Sequence, residues 1–119
     1  MGTFKWPVTV STLDGQRSAD IEATVDTGSL YCAMPARLLR GLGIEPERKS
    51  RMRLADGRLV DVELGPAYIA INGERAPMLV SFSEDGAPIL LGALALESLR
   101  LSVDPEAQRL IPNPEIPLY

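Results

Sequence analysis

The stretch Ala-Thr-Val-Asp-Thr-Gly-Ser at residues 23–29 sets an acid, Asp26, at the end of an apolar strand, against a small hydroxyl residue and a glycine. Burying a carboxylate is costly unless it is paired or hydrogen-bonded. Asp26 therefore either caps a turn with its own side chain or carries chemistry. The remaining composition narrows which chemistry that could be. The chain has no histidine, which removes Ser-His-Asp triads, Cys-His dyads and histidine metal sites. Its single cysteine, Cys32, lies in an apolar run; it can form no internal disulfide or thiolate zinc cluster, and reads as a buried structural thiol. No Gly-rich phosphate loop occurs. Carboxylates are the strongest candidates left for hydrolysis, with no metal and no cofactor expected.

The elements that must position Asp26 read mostly as strands. Residues 19–25 alternate, with Ile21, Ala23 and Val25 on one face and Asp20, Glu22 and Thr24 on the other. Residues 58–64, 67–71 and 78–82 give further strands, and 4–10 another, whose Pro7 predicts an edge position or bulge. Asp14-Gly15, Asp56-Gly57 and Asn72-Gly73 are hairpin signals. Helix is confined to 35–42, which opens on a proline and stops at glycines, and to a short segment at 94–99. The tail at 110–119 holds three prolines and is expected to be extended. A weak internal repeat is visible: hairpin, apolar strand, glycine and helix occur in that order in each half.

An apolar strand ending in Val-Asp-Thr-Gly-Ser, followed some sixty residues later by Ile-Leu-Leu-Gly and a short helix, resembles the retropepsin-like aspartic proteases, nearer their cellular and bacterial branch. The resemblance runs from Phe4 to Ile111. It implies a single domain over 1–119, mostly β, a closed barrel of the acid protease fold with one or two short helices, working as a symmetric homodimer. It also implies the mechanism: two facing carboxylates share one proton, one activating water and the other polarising the scissile carbonyl. The chain holds one Asp-Thr-Gly, so each subunit would contribute one Asp26. Carried over by position, Thr27 would bond across the two-fold axis, Gly28 would let substrate backbone pass, and Ser29 would orient the carboxylate. The hairpin at 53–60, with Ala55, Asp56, Gly57 and Arg58 at its tip, would be a flap over substrate. Leu90 would line the cleft, beside Gly92. The sequence departs from the retroviral pattern at Leu30 and Ala93, where an acid and an arginine are missing together. Apolar contacts would replace that ion pair, with the chain ends, 4–10 and 110–119, supplying much of the interface.

The function implied is an aspartic endopeptidase acting on peptide or protein substrates. One alternative is a retropepsin-fold module that binds peptides or dimerises without turnover; another is a small β-barrel interaction domain whose Asp-Thr-Gly is accidental. At 119 residues and 45% hydrophobic, the chain can bury a real core. A net charge of −4 and the lack of aromatics among the basic residues at 37–58 argue against nucleic acid and make that run a solvated face. With no apolar run of membrane-spanning length and no signal-peptide pattern, no membrane association and a cytoplasmic location are expected.

Overall fold

The computed structural model describes residues 3–113. Its elements are β1 (Lys5–Ser11), β2 (Ser18–Val25), β3 (Ala33–Pro35), α1 (Ala36–Gly41), β4 (Arg48–Arg53), β5 (Leu59–Ile71), β6 (Glu74–Ser83), β7 (Leu90–Leu91), α2 (Ala93–Ser98), β8 (Leu101–Asp104) and β9 (Arg109–Pro112). The chain is mostly β with two short helices among the described residues. No helix there is long and apolar enough to cross a membrane.

The turn chemistry does what the sequence anticipates. Asn72 and Gly73 both take positive φ, 54° and 84°, and join Ile71 to Glu74, which face each other across β5 and β6. Two left-handed residues in a two-residue loop match the right-handed twist of the strands they join. At Asp56-Gly57 the Gly57 N–H donates to the Leu54 carbonyl and the Leu54 N–H to the Arg58 carbonyl. Gly57 holds φ at 90° there, a conformation that disfavours any side chain.

Seven strands form one sheet in the order β1-β2-β7-β3-β6-β5-β4, and β1 also pairs with β5. The pairings from β1 round to β5 therefore return on themselves, with β4 attached outside that ring on β5. The two halves share one order of elements, hairpin, short strand and helix (β1-β2-β3-α1 and β5-β6-β7-α2). Each short strand pairs in parallel with the other half's hairpin: β7 beside β2, and β3 beside β6. Val8, Val10, Met34, Leu39, Ile69, Val80 and Leu91 are among the buried residues this arrangement packs together.

Several expectations need correction. The strands at 58–64 and 67–71 are one continuous β5, because Gly65-Pro66 does not break it. Pro66 falls where β5 has passed beyond β4, last paired at Leu64, and has not yet met β1, first paired at Tyr68. With one neighbour only, a missing donor is tolerated. Pro7 is accommodated similarly, since β1 meets its second neighbour only at Thr9–Ser11. The helix at 35–42 occupies Ala36–Gly41, and that at 94–99 is shifted by one residue to Ala93–Ser98. The tail at 110–119 begins as β9, paired with β8; residues 114–119 lie outside the described residues.

Candidate functional site

Asp26 sits where β2 leaves the sheet, and the chain around it is fastened to the start of α2. The Asp26 N–H donates to the Leu91 carbonyl (3.0 Å), the Ala93 N–H to Ser29 O (2.7 Å) and the Leu94 N–H to Leu30 O (3.0 Å). The two motifs that are sixty residues apart in sequence are thus one hydrogen-bonded unit. Gly92 makes that contact possible. A Cβ at Gly92 would stand 2.5 Å from the Tyr31 carbonyl oxygen and 2.7 Å from that of Ser29, closer than any real Cβ comes. Glycine is required there by space, since its φ is −92°.

Within the loop, the Gly28 N–H donates to Asp26 Oδ1 (3.0 Å) and the Ser29 N–H to the Asp26 carbonyl (3.1 Å). The first bond orients the carboxylate from the backbone, and the second closes the turn beneath it. A Cβ on Gly28 would lie 3.3 Å from the same Oδ1, so a larger residue would crowd the acid. The Ser29 hydroxyl donates to the Tyr31 carbonyl (2.8 Å); within this chain it braces the loop and does not touch the carboxylate. Asp26 is half-buried, and Thr27 and Gly28 are exposed.

Asp26 opens onto a cleft of about 120 Å³ lined with Thr3, Phe4, Val25, Thr27, Val103 and Pro105. Apart from Asp26 that lining holds no acid. Thr27 also borders the neighbouring cleft, which runs along Ala93, Leu96, Glu97 and Val103. Val103 and Pro105 reach the site from β8 and the turn after it, which a reading of 110–119 as a mere tail does not bring there. The available signal was Leu101 and Val103 alternating ahead of Asp104-Pro105, with Leu110 returning on the far side of the turn. Leu90 is half-buried in β7, paired with Thr24 and Ala33, and is not in the lining of either cleft. Gly92 is fully accounted for by the close approach of Tyr31.

The hairpin tip at Ala55, Asp56, Gly57 and Arg58 is exposed, away from the lining of both clefts. Asp56 organises it. Its Oδ1 accepts the Arg58 N–H (3.0 Å) and its Oδ2 the Arg58 guanidinium (2.7 Å). Those two bonds, the backbone one first, hold its carboxyl below the usual carboxylate range. Cys32 is buried, and burial pushes its thiol up to about 11, so it stays protonated and unreactive. Among the described residues no three His, Cys, Asp or Glu side chains gather as metal ligands would.

No protein-family model and no curated protein sequence matches this chain. Solved structures do. The EIAV protease complexed with the inhibitor HBY-793 superposes with a TM-score of 0.57 at 19% identity, over 82% of this chain and 88% of that one. A retropepsin-like aspartic protease from Rickettsia conorii gives 0.52 at 18% identity, over 87% and 89%. The chain has the retropepsin-like fold.

Proposed function

We propose that this chain is an aspartic endopeptidase assembled as a homodimer, in which Asp26 of each subunit supplies half of the catalytic dyad. The observation that carries the reading is the state of Asp26: a half-buried carboxylate, oriented by the Gly28 N–H, facing a cleft with no second acid in its lining. A lone carboxylate can act as a base but cannot also be the proton donor to the carbonyl. A second copy across a two-fold axis through this loop supplies the missing acid. Thr27 is exposed and borders both clefts, which suits contact with its counterpart across such an axis. Likeness in fold to two aspartic proteases supports the same reading.

In the assembled site the ionised carboxylate takes a proton from water as the oxygen attacks the peptide carbonyl carbon. The protonated partner hydrogen-bonds the carbonyl oxygen as charge develops on it. Collapse of the tetrahedral intermediate breaks the C–N bond, and a proton passes to the leaving amine. The hairpin tip at 55–58 closes over the bound peptide. The interface draws on the β8–β9 hairpin beside Asp26 and on Thr3 and Phe4, which line the same cleft.

A diverse peptide library incubated across acid to neutral pH tests this. Cleavage is expected from the wild type and from Glu97→Gln, and none from Asp26→Asn. Cleavage that survives Asp26→Asn in a folded preparation would end the reading. Tight peptide binding with no cleavage at any pH would leave the binding-module alternative in its place.

A further inference from the structure

The basic run is not used by Asp26. From 48 to 64 the chain carries Arg48, Lys49, Arg51, Arg53 and Arg58 against three acids, within a protein whose overall balance is 12 cations to 16 acids. The register of β4 on β5 sorts these side chains. Lys49, Arg51 and Arg53 share one face, opposite Glu63, Asp61 and Leu59, and all three are exposed. Ser50 and Met52 lie on the other face, opposite Val62 and Val60, and these four are half-buried.

The acids on the cationic face are largely engaged. Asp61 pairs with Arg51 at 3.2 Å, and Glu63 with Arg40 at 3.6 Å. Lys49 has no carboxylate within ion-pair distance among the described residues, and the Arg53 guanidinium donates to the Gly57 carbonyl (2.9 Å). β4 is also the terminal strand of the sheet, with no neighbour on its second side among the described residues. An unpaired edge presents a row of backbone donors and acceptors to any extended chain.

The geometry points to β4 as a docking edge for an extended protein segment with acidic side chains at alternate positions and apolar ones between them. Strand addition supplies main-chain hydrogen bonds, and alternate side chains supply selectivity, because they fall on opposite faces of the sheet. Carboxylates of the added strand meet Lys49 and Arg53 on one face; apolar side chains extend the Met52 face on the other. As a device for recruiting substrate the edge rests on the endopeptidase reading, since its hairpin is the proposed flap. Binding itself needs no catalysis.

The test uses Asp26→Asn protein, so that nothing is cut, and fluorescence anisotropy with three labelled peptides. One alternates Glu and Val, one alternates Lys and Val, and one has the first composition with Glu and Val in separate blocks. The alternating acidic peptide is expected to bind roughly ten-fold tighter than the blocked isomer and the basic peptide, and to weaken with salt. Lys49→Glu combined with Arg53→Glu reverses the preference toward the basic peptide. Equal binding of the blocked isomer, or a preference unmoved by the double reversal, overturns the proposal and leaves the cations as a guard against edge-to-edge association. The two readings fail separately: wild-type cleavage without this binding removes only the docking edge, and binding without cleavage removes only the endopeptidase.

Discussion

Replacing Gly92 by alanine asks whether the contact between the Asp26 loop and α2 sets the geometry of the site. The backbone at Gly92, φ −92° and ψ 175°, suits alanine, so the cost is steric alone. The new methyl would stand 2.5 Å and 2.7 Å from the Tyr31 and Ser29 oxygens and 2.7 Å from the Tyr31 carbonyl carbon. All three are backbone atoms and cannot swing away, so relief requires moving the loop away from α2. That strains the Ala93–Ser29 and Leu94–Leu30 bonds at 2.7 and 3.0 Å. Overpacking against backbone of this kind costs about 3 kcal/mol, which lowers the melting temperature of a domain this size by ~10 °C. Because the same loop carries Asp26, kcat is expected to fall about 100-fold at temperatures where the variant is still folded. Gly41→Ala is the control: nothing lies within 4 Å of its added Cβ, and at the end of α1 it should be neutral or stabilise by up to about 1 kcal/mol. Thermal unfolding and a cleavage assay on both variants decide the matter. A Gly92→Ala protein as stable and as active as Gly41→Ala would show that this contact does not set the geometry of the site.

At the hairpin tip, the Asp56 carboxyl is held low by Arg58 in the folded state. Its stabilisation of the tip is therefore present above the ordinary carboxylate range and is lost as pH falls through the lowered value; protection of the Gly57 and Arg58 amides, measured relative to their intrinsic exchange at each pH, should fall there, and in Asp56→Ala should be low at every pH. Cys32, with its thiol raised to about 11 by burial, should resist alkylation in the native protein near neutral pH and react only after unfolding, as mass spectrometry would record. Rapid native labelling would contradict the packing of β3.

Much of this fold is legible in the chain because period and turn chemistry coincide. The alternation of Ile21, Ala23 and Val25 gives β2, and Asn72-Gly73 gives the β5–β6 turn with both residues at positive φ. The elements that escaped are those whose local signal is absent or contrary. β3 and β7 span three and two residues, too few to show a period; they exist because β6 and β2 offer them partners. β4 reads as solvated polar chain, since its six residues include four cations, and only pairing with β5 makes it a strand. Proline hid β9 and Gly65-Pro66 hid the continuity of β5, both tolerated at places with one neighbour. In the site, the motif located Asp26 and the glycine of Ile-Leu-Leu-Gly. It could not show that the Ser29 hydroxyl turns to Tyr31, or that Val103 and Pro105 wall the cleft, because those depend on how distant segments meet.

The claim that one Asp26 per subunit makes the site is tested most directly by mixing subunits. Wild-type and Asp26→Asn chains, combined in equal parts and allowed to exchange, should give statistical dimers of which only about one quarter carry two carboxylates. At fixed total protein about one quarter of the wild-type cleavage rate is expected. A rate of about one half, as expected if each Asp26 works alone, would contradict it.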